Sequence, residues 1–162
     1  MSIPITSIGA SVSYAFEGTS GVRPTSGYTK IPKITEIPEM NPTPDMLDTT
    51  SMDNLEYTTG TPGLKTLDTL TFTARFSQDL FDLYEGTSGI IATWNTSKAT
   101  SLAMWLCIEI VGLNKACYIS VEPSTIGMPS VSTNSVIDVS LYFTPVDEPI
   151  WAAAPTTTQT PQ

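Results

Sequence analysis

The sequence predicts an all-β domain with one short α-helix, built as a β-sandwich or barrel. Three observations carry this. Several segments alternate apolar and polar residues at period two, a single segment has helical periodicity between capping residues, and the connections are short with one exception. At 162 residues the chain fits one domain with room for a substantial core.

Residues 11–16 and 28–37 read as weaker strands, and Pro32 suits an edge or a bulge. Residues 66–76 alternate cleanly: Leu70, Phe72, Ala74 and Phe76 share one face, while Thr69, Thr71, Thr73 and Arg75 share the other. The helix follows. Ser77 is a good N-cap, Asp79 suits the positive end of the dipole, Gly86 suits the C-terminal exit, and Leu80, Phe81, Leu83 and Tyr84 form the apolar stripe. A strand ending at Trp94 comes next. Residues 102–112 then place Leu102, Met104, Leu106, Ile108 and Ile110 on one face, with Trp105, Cys107, Glu109 and Val111 on the other. Residues 115–122 pair back on that strand, burying Cys117, Ile119 and Val121, and residues 136–144 alternate again. With Leu113 and Asn114 at the turn, residue 107 faces residue 120 and residue 117 faces residue 110. The two cysteines then point to opposite faces, and two buried thiols are expected rather than a disulfide. After Trp151 the uncharged run AAAPTTTQTPQ reads as a flexible arm.

The exception among the connections is the stretch 34–64, ITEIPEMNPTPDMLDTTSMDNLEYTTGTPGL. It holds Glu36, Glu39, Asp45, Asp48, Asp53 and Glu56 and no lysine or arginine. Loops this long inside a compact domain are uncommon unless functional or disordered. A disordered loop does not ordinarily spend Met40, Met46, Leu47, Met52, Leu55 and Tyr57 on water. The stretch is therefore expected to bury its apolar residues against another copy of the protein.

Charge excludes some functions. The net charge is −9, and the basic residues Arg23, Lys30, Lys33, Lys65, Arg75, Lys98 and Lys115 are scattered singly. A nucleic-acid reader needs clustered cations to displace counterions from phosphates. Charged residues make up 14 % of the chain, well below the usual quarter, and serine and threonine take their place. Such a surface suits a protein covered by its neighbours. The first residues have no basic region or long apolar core, and the longest apolar run, 102–108, is far short of the ~20 residues that span a bilayer. The expectation is a protein made and kept in a reducing cytosol until assembly, with no membrane contact.

Catalytic chemistry is poorly represented. The absence of histidine removes Ser-His-Asp triads, Cys-His pairs and almost all zinc enzymes. GTSG occurs at residues 18–21 and 86–89, but neither copy leads into a phosphate-loop lysine, so both are read as turns. The carboxylate pairs Asp48/Asp53 and Asp79/Asp82 lack an evident aromatic platform for a glycosidase. Asp45, Asp48, Asp53 and Glu56 do not match a calcium-loop spacing. No enzymatic activity, metal or cofactor is expected. Asn95-Thr96-Ser97 matches a glycosylation sequon by coincidence.

The segment KIPKITEIPEMNPTPDMLDTTSMDNLEYTTG resembles the major tail tube protein of long-tailed, siphovirus-like bacteriophages. In that family an isoleucine- and proline-rich strand end leads to a proline-acidic step and then to a hydrophobic-Asp-x-Thr-[Thr/Ser]-hydrophobic-Asp run. Here that run is Leu47-Asp48-Thr49-Thr50-Ser51-Met52-Asp53, with one residue between Thr50 and Met52. A glycine-containing turn at residues 60–63, the helix after the next strand, and the closing SVIDVSLYFTPVDEPIW also match, so the resemblance spans about residues 12–151.

The resemblance implies a β-sandwich or barrel of the phage tail-tube type. Six subunits form a ring, rings stack into a hollow tube, and genomic DNA leaves through the lumen without specific binding. The implied partners are further copies, the tape measure protein, and tail-terminator or distal-tail proteins; the implied place is the virion tail. It further implies an N-terminal arm over residues 1–11, a β-domain over 12–151 with a stacking loop over 38–63, and a flexible tail over 152–162. Asp45, Met46, Leu47, Asp48, Thr49, Thr50, Met52, Asp53, Leu55 and Tyr57 become the inter-ring contact. Thr69, Thr71, Thr73 and Arg75 form a polar face suited to the lumen or to water, and Trp151 an anchor on a neighbour. Six copies at −9 carry −54 per ring, a charge that repels phosphates if it faces the lumen. The alternatives are a carbohydrate- or host-surface-binding sandwich, with Trp94 and Tyr84 in an exposed groove, and a tube component of a contractile or type VI secretion-like system.

Overall fold

The computed structural model describes residues 9–53 and 60–155. Its core is organised by alternation in β6 (Leu70–Arg75), where Leu70, Phe72 and Ala74 are buried while Thr71 and Arg75 are exposed. β6 pairs with β9 (Asp138–Pro145) in the register Phe72↔Leu141, which stacks Val139, Leu141 and Phe143 on the same face. The same rule runs through β1 (Ser11–Phe16), β7 (Met104–Glu109) and β8 (Lys115–Pro123). Val12 lies opposite Ile108, Leu106 opposite Ile119, and Met104 opposite Val121, so one face of the whole sheet is apolar.

Short strands β2 (Thr29–Lys30) and β3 (Ile34–Glu36) close the two edges, giving the order β2-β1-β7-β8-β9-β6-β3. A last strand, β10 (Ile150–Ala153), pairs with β8 beside Tyr118 to Lys115. The eight-stranded sheet curls into a half-barrel, as expected for an all-β fold of this type. The remaining strands, β4 (Thr43–Asp48) and β5 (Gly60–Thr66), form a separate two-stranded ribbon.

Two helices line the apolar face. In α1 (Gln78–Glu85) the Ser77 hydroxyl accepts from the Leu80 N–H at 3.3 Å, and Leu80 and Tyr84 are fully buried. The Tyr84 and Phe72 rings both meet Phe143 edge-on, at 6.2 and 5.4 Å. The turn at 86–89 needs its glycines: a Cβ on Gly86 would collide with the Asp82 carbonyl, and one on Gly89 would sit 2.8 Å from that of Tyr84. It leads into α2 (Ile90–Ala99), a second helix where the sequence suggested a strand ending at Trp94. The β-branched start Ile90-Ile91 favours a strand locally, but Ile90, Trp94 and Ser97 fall on one helical face that packs inward.

Other expectations need revision. The strand expected over 66–76 is broken at residues 67–69, where the chain leaves the ribbon and enters the sheet, so Thr69 lies outside β6. Cys107 pairs with Tyr118, and Cys117 with Ile108, a register two residues away from the expected one. The thiols still lie on opposite faces, and both are free and buried. Residues 152 and 153, read as the start of a tail, belong to β10: Ala153 receives the Tyr118 hydroxyl at 2.6 Å. Residues 1–8 and 156–162, the greater part of both expected arms, lie outside the described residues.

The second face of β7 and β8 carries a small cluster of Cys107, Ala116 and Tyr118, covered by Tyr28, Trp105 and Ala152. Trp105 is thus half-buried here rather than in the main core. Its indole N–H donates to Glu17 Oε1 at 2.8 Å, while Glu17 Oε2 accepts from the backbone N–H groups of Gly21 and Ala103 at 3.0 and 3.1 Å. Glu17 is 5 % exposed, so this carboxylate satisfies three donors that burial would otherwise leave costly. The Arg23 guanidinium lies 4.1 Å over the Tyr118 ring.

Candidate functional site

The long excursion is a β-hairpin. β4 and β5 pair antiparallel from Thr43↔Thr66 at the base to Asp48↔Gly60, with a bulge between Pro44 and Met46. Proline and glycine in both strands hid this pairing from sequence reading, because they are depleted from central strands. A two-stranded ribbon has two outer edges where proline is tolerated. The glycines make room: a Cβ on Gly60 would sit 2.9 Å from Met46 Cε, and one on Gly63 3.2 Å from Leu47 Cγ.

The ribbon exposes what a core ordinarily hides. Every residue of β4 is exposed, with Met46 at 65 % and Leu47 at 58 %; Leu64 on β5 stands at 84 % and Met52 at 95 %. Met46 and Leu47 are adjacent in a strand and so point to opposite faces. An isolated two-stranded hairpin is at best marginal in water. Exposed apolar side chains on both of its faces mark a surface that gains by being covered.

Of the residues expected at this contact, Asp45, Met46, Leu47 and Asp48 lie together on β4. Thr49, Thr50, Met52 and Asp53 follow, all exposed, while Leu55 and Tyr57 lie outside the described residues. Asp48 Oδ1 accepts from the Thr50 N–H at 2.8 Å, and hydrogen bonding to Thr50 holds its carboxyl below the usual range. Leu64, on β5, was missed, although it closes the stretch 34–64 that the sequence singles out. At the base Lys65 meets Glu148 at 3.8 Å, over a shallow cleft of about 280 Å³ lined by Pro42, Leu67, Pro145 and Val146.

The polar face expected on residues 69–75 faces solvent in the isolated chain. Thr71 lies opposite Tyr142, half-buried Thr73 opposite Ser140, and Arg75 opposite Asp138 at 3.8 Å. Trp151 on β10 is 55 % exposed, on the edge of the sheet. Tyr84 is fully buried and Trp94 packs against the core, so they do not form the exposed groove a sugar-binding reading requires.

Sequence reading also missed the connection between β8 and β9. Residues 124–137 carry no charge and expose Met128, Val131 and Val136. The Ile126 N–H donates to Glu85 Oε1 at 2.6 Å and the Tyr84 hydroxyl to the Ser124 carbonyl at 2.8 Å, which pin the start of this loop to α1. Among the described residues no three histidine, cysteine, aspartate or glutamate side chains gather as a metal site would need, and no helix is long and apolar enough to cross a membrane.

No family model and no curated protein sequence matches the chain. Solved structures do. The chain is similar to one in the cryo-EM structure of the anti-feeding prophage baseplate, with a TM-score of 0.60 and 11 % identity over 94 % of this chain and 98 % of that one. It is similar also to one in the tube-terminating cap of the anti-feeding prophage, with a TM-score of 0.59 and 11 % identity over 95 % and 94 %. The likeness is one of fold, and it spans nearly the whole length of each chain.

Proposed function

We propose that this protein is a structural subunit of a phage-type tail and that it assembles with further copies of itself into stacked hexameric rings forming the tail tube. The observation that carries the reading is the β4–β5 hairpin, which presents Met46, Leu47, Met52 and Leu64 to solvent on a ribbon too small to be stable by itself. Support comes also from the full-length fold likeness to subunits of a tube-terminating cap and of a baseplate described as 6-fold symmetrised. In this reading Asp45 to Asp53, with Leu55 and Tyr57, form the contact between rings, and Trp151 anchors on a neighbour. The 1–11 and 152–162 segments serve as arms, with the latter's first two residues fixed in β10. Thr71, Thr73 and Arg75 face the lumen or the outside. Ring closure protects sheet edges that an open β-domain otherwise leaves to aggregation.

The role is conduit rather than catalysis. DNA passes without specific contact, because −9 per subunit repels phosphates and the basic residues are dispersed. Tape measure and terminator proteins complete the assembly, and the place of action is the virion tail. Electron microscopy of the purified protein tests this: rings or tubes are expected, and persistent monomers across assembly conditions would refute it. A solved tube with a positive inner wall would end the proposal of electrostatic repulsion by the lumen.

A further inference from the structure

The apolar face of the sheet is open at one end. Cross-strand pairing puts Val12, Ile108, Cys117 and Trp151 in one row, on β1, β7, β8 and β10. Residues paired across a row share a face. Exposure climbs along this row from 1 % at Val12 through 4 % and 8 % to 55 % at Trp151. Beside it lies the β7–β8 turn, closed by the Leu113 N–H on the Ile110 carbonyl at 3.2 Å. Val111 in that turn is 67 % exposed and Leu113 38 %. Turn and tryptophan together leave apolar side chains uncovered at a place where polar residues are the rule.

The described residues begin and end at this end of the sheet. β1 starts at Ser11 opposite Glu109, and β10 stops at Ala153 opposite Lys115. At Gly9 the backbone has φ +86° and lies against the turn, so closely that a Cβ there would sit 2.6 Å from Val111 Cγ2. Residues 1–8, MSIPITSI, hold Ile3, Ile5 and Ile8 and no charged side chain, whereas residues 156–162, TTTQTPQ, hold no large apolar side chain. Of the two, the first alone has the chemistry to cover this surface. It also has the reach. From β1 to β10 is three strand spacings, about 14 Å. Six extended residues, from Gly9 back to Ile3, span up to ~20 Å.

We propose that residues 1–8 fold back over the β7–β8 turn of their own subunit, setting Ile8 and Ile5 on Val111 and Leu113 and Ile3 on Trp151. The short tether favours the segment's own chain over a second copy. It holds the segment at an effective concentration of about a millimolar, which no other copy matches in dilute solution. The inference concerns the free subunit. On the reading above, the segment leaves its seat when Trp151 meets a neighbour, and until then it keeps an exposed tryptophan from indiscriminate association.

Disulfide trapping in the full-length chain tests this, at a dilution where sedimentation shows a monomer. Native Cys107 and Cys117 are buried and stay out of the reaction. Ile5→Cys with Leu113→Cys should close an intramolecular bridge on mild oxidation with diamide, the two thiols giving up two protons and two electrons to the oxidant. Mass spectrometry of the unreduced digest should find positions 5 and 113 in one linked peptide pair from a monomeric chain. Ile5→Cys with Met128→Cys should not bridge. Met128 lies beyond Pro123, the far end of β8 and about 26 Å from the turn, whereas the four residues from Gly9 to Ile5 span at most ~14 Å. A covalent dimer in place of the first bridge puts the segment on another copy and overturns the proposal. No bridge at all, or equal bridging in the two variants, overturns it too. A second measurement leaves the seat itself intact. Ile3→Ser with Ile5→Ser should raise acrylamide quenching of the tryptophan emission in the parent but not in a Trp151→Phe background; an equal rise in both, or none in either, refutes the cover over Trp151. Electron microscopy of the parent judges the tube reading separately, so either idea can fail alone.

Discussion

Replacing Met46 and Leu47 together by aspartate should leave the subunit folded and stop its assembly. The two side chains are 65 % and 58 % exposed, so the free subunit loses little, on the order of 1 kcal/mol, when they go. Full burial of a methionine or leucine is worth about 1.5–3 kcal/mol, and more than half of that is still to be gained at a contact. The double substitution thus removes roughly 3 kcal/mol per hairpin, a factor of about a hundred in each contact. It also adds two carboxylates beside Asp45 and Asp48, which makes desolvation at the contact worse. Circular dichroism checks the fold, and sedimentation with electron microscopy reads the assembly. Rings or tubes forming at the parent's concentration from the folded variant would refute the hairpin as the contact.

Four further outcomes are expected. Glu17→Gln exchanges one accepting oxygen for a donor beneath the Trp105 indole, the Gly21 N–H and the Ala103 N–H, and should cost about 2 kcal/mol, or roughly 4–8 °C in Tm; a double-mutant cycle with Trp105→Phe that shows no coupling would contradict this. Truncation after residue 155 should leave thermal stability unchanged. Truncation after residue 151 removes two ladder pairs and the carbonyl that receives the Tyr118 hydroxyl, and should lower stability by about 1–3 kcal/mol in denaturant titrations. At high pH, burial pushes Tyr84 and Tyr28 well up, and Cys107 and Tyr118 up to about 12. The fold prefers the protonated form of each, so their contribution is complete below the unfolded values and is lost as pH rises from about 9 toward 12 and beyond. Tyrosinate absorbance from these rings should rise together with the loss of circular dichroism; smooth titration in a still-folded protein would contradict it.

The sequence by itself determined the pattern of the core strands. Alternation in residues 70–75, 104–109 and 138–145 states which residues face inward, because a pleated strand has a period of two whatever its partners. Ser77 and Gly86 likewise marked α1, since capping is local chemistry. The acidic, methionine-bearing stretch 34–64 is exceptional in composition alone, and that is enough to single out the candidate site.

Tertiary structure decided what depends on partners distant in the chain. Ile90 and Ile91 favour a strand locally, and only burial of one face against the sheet makes that segment α2. The β4–β5 pairing was invisible because Pro44, Pro62, Gly60 and Gly63 argue against a central strand, whereas a ribbon with open edges accepts them. The register of Cys107 depends on how the turn at 110–114 closes, and a shift of two residues leaves the buried faces unchanged, so no hydrophobic pattern can detect it. Glu17 looked like one acid among many, and it became a buried acceptor only when Ala103 and Trp105, far along the chain, were brought against it.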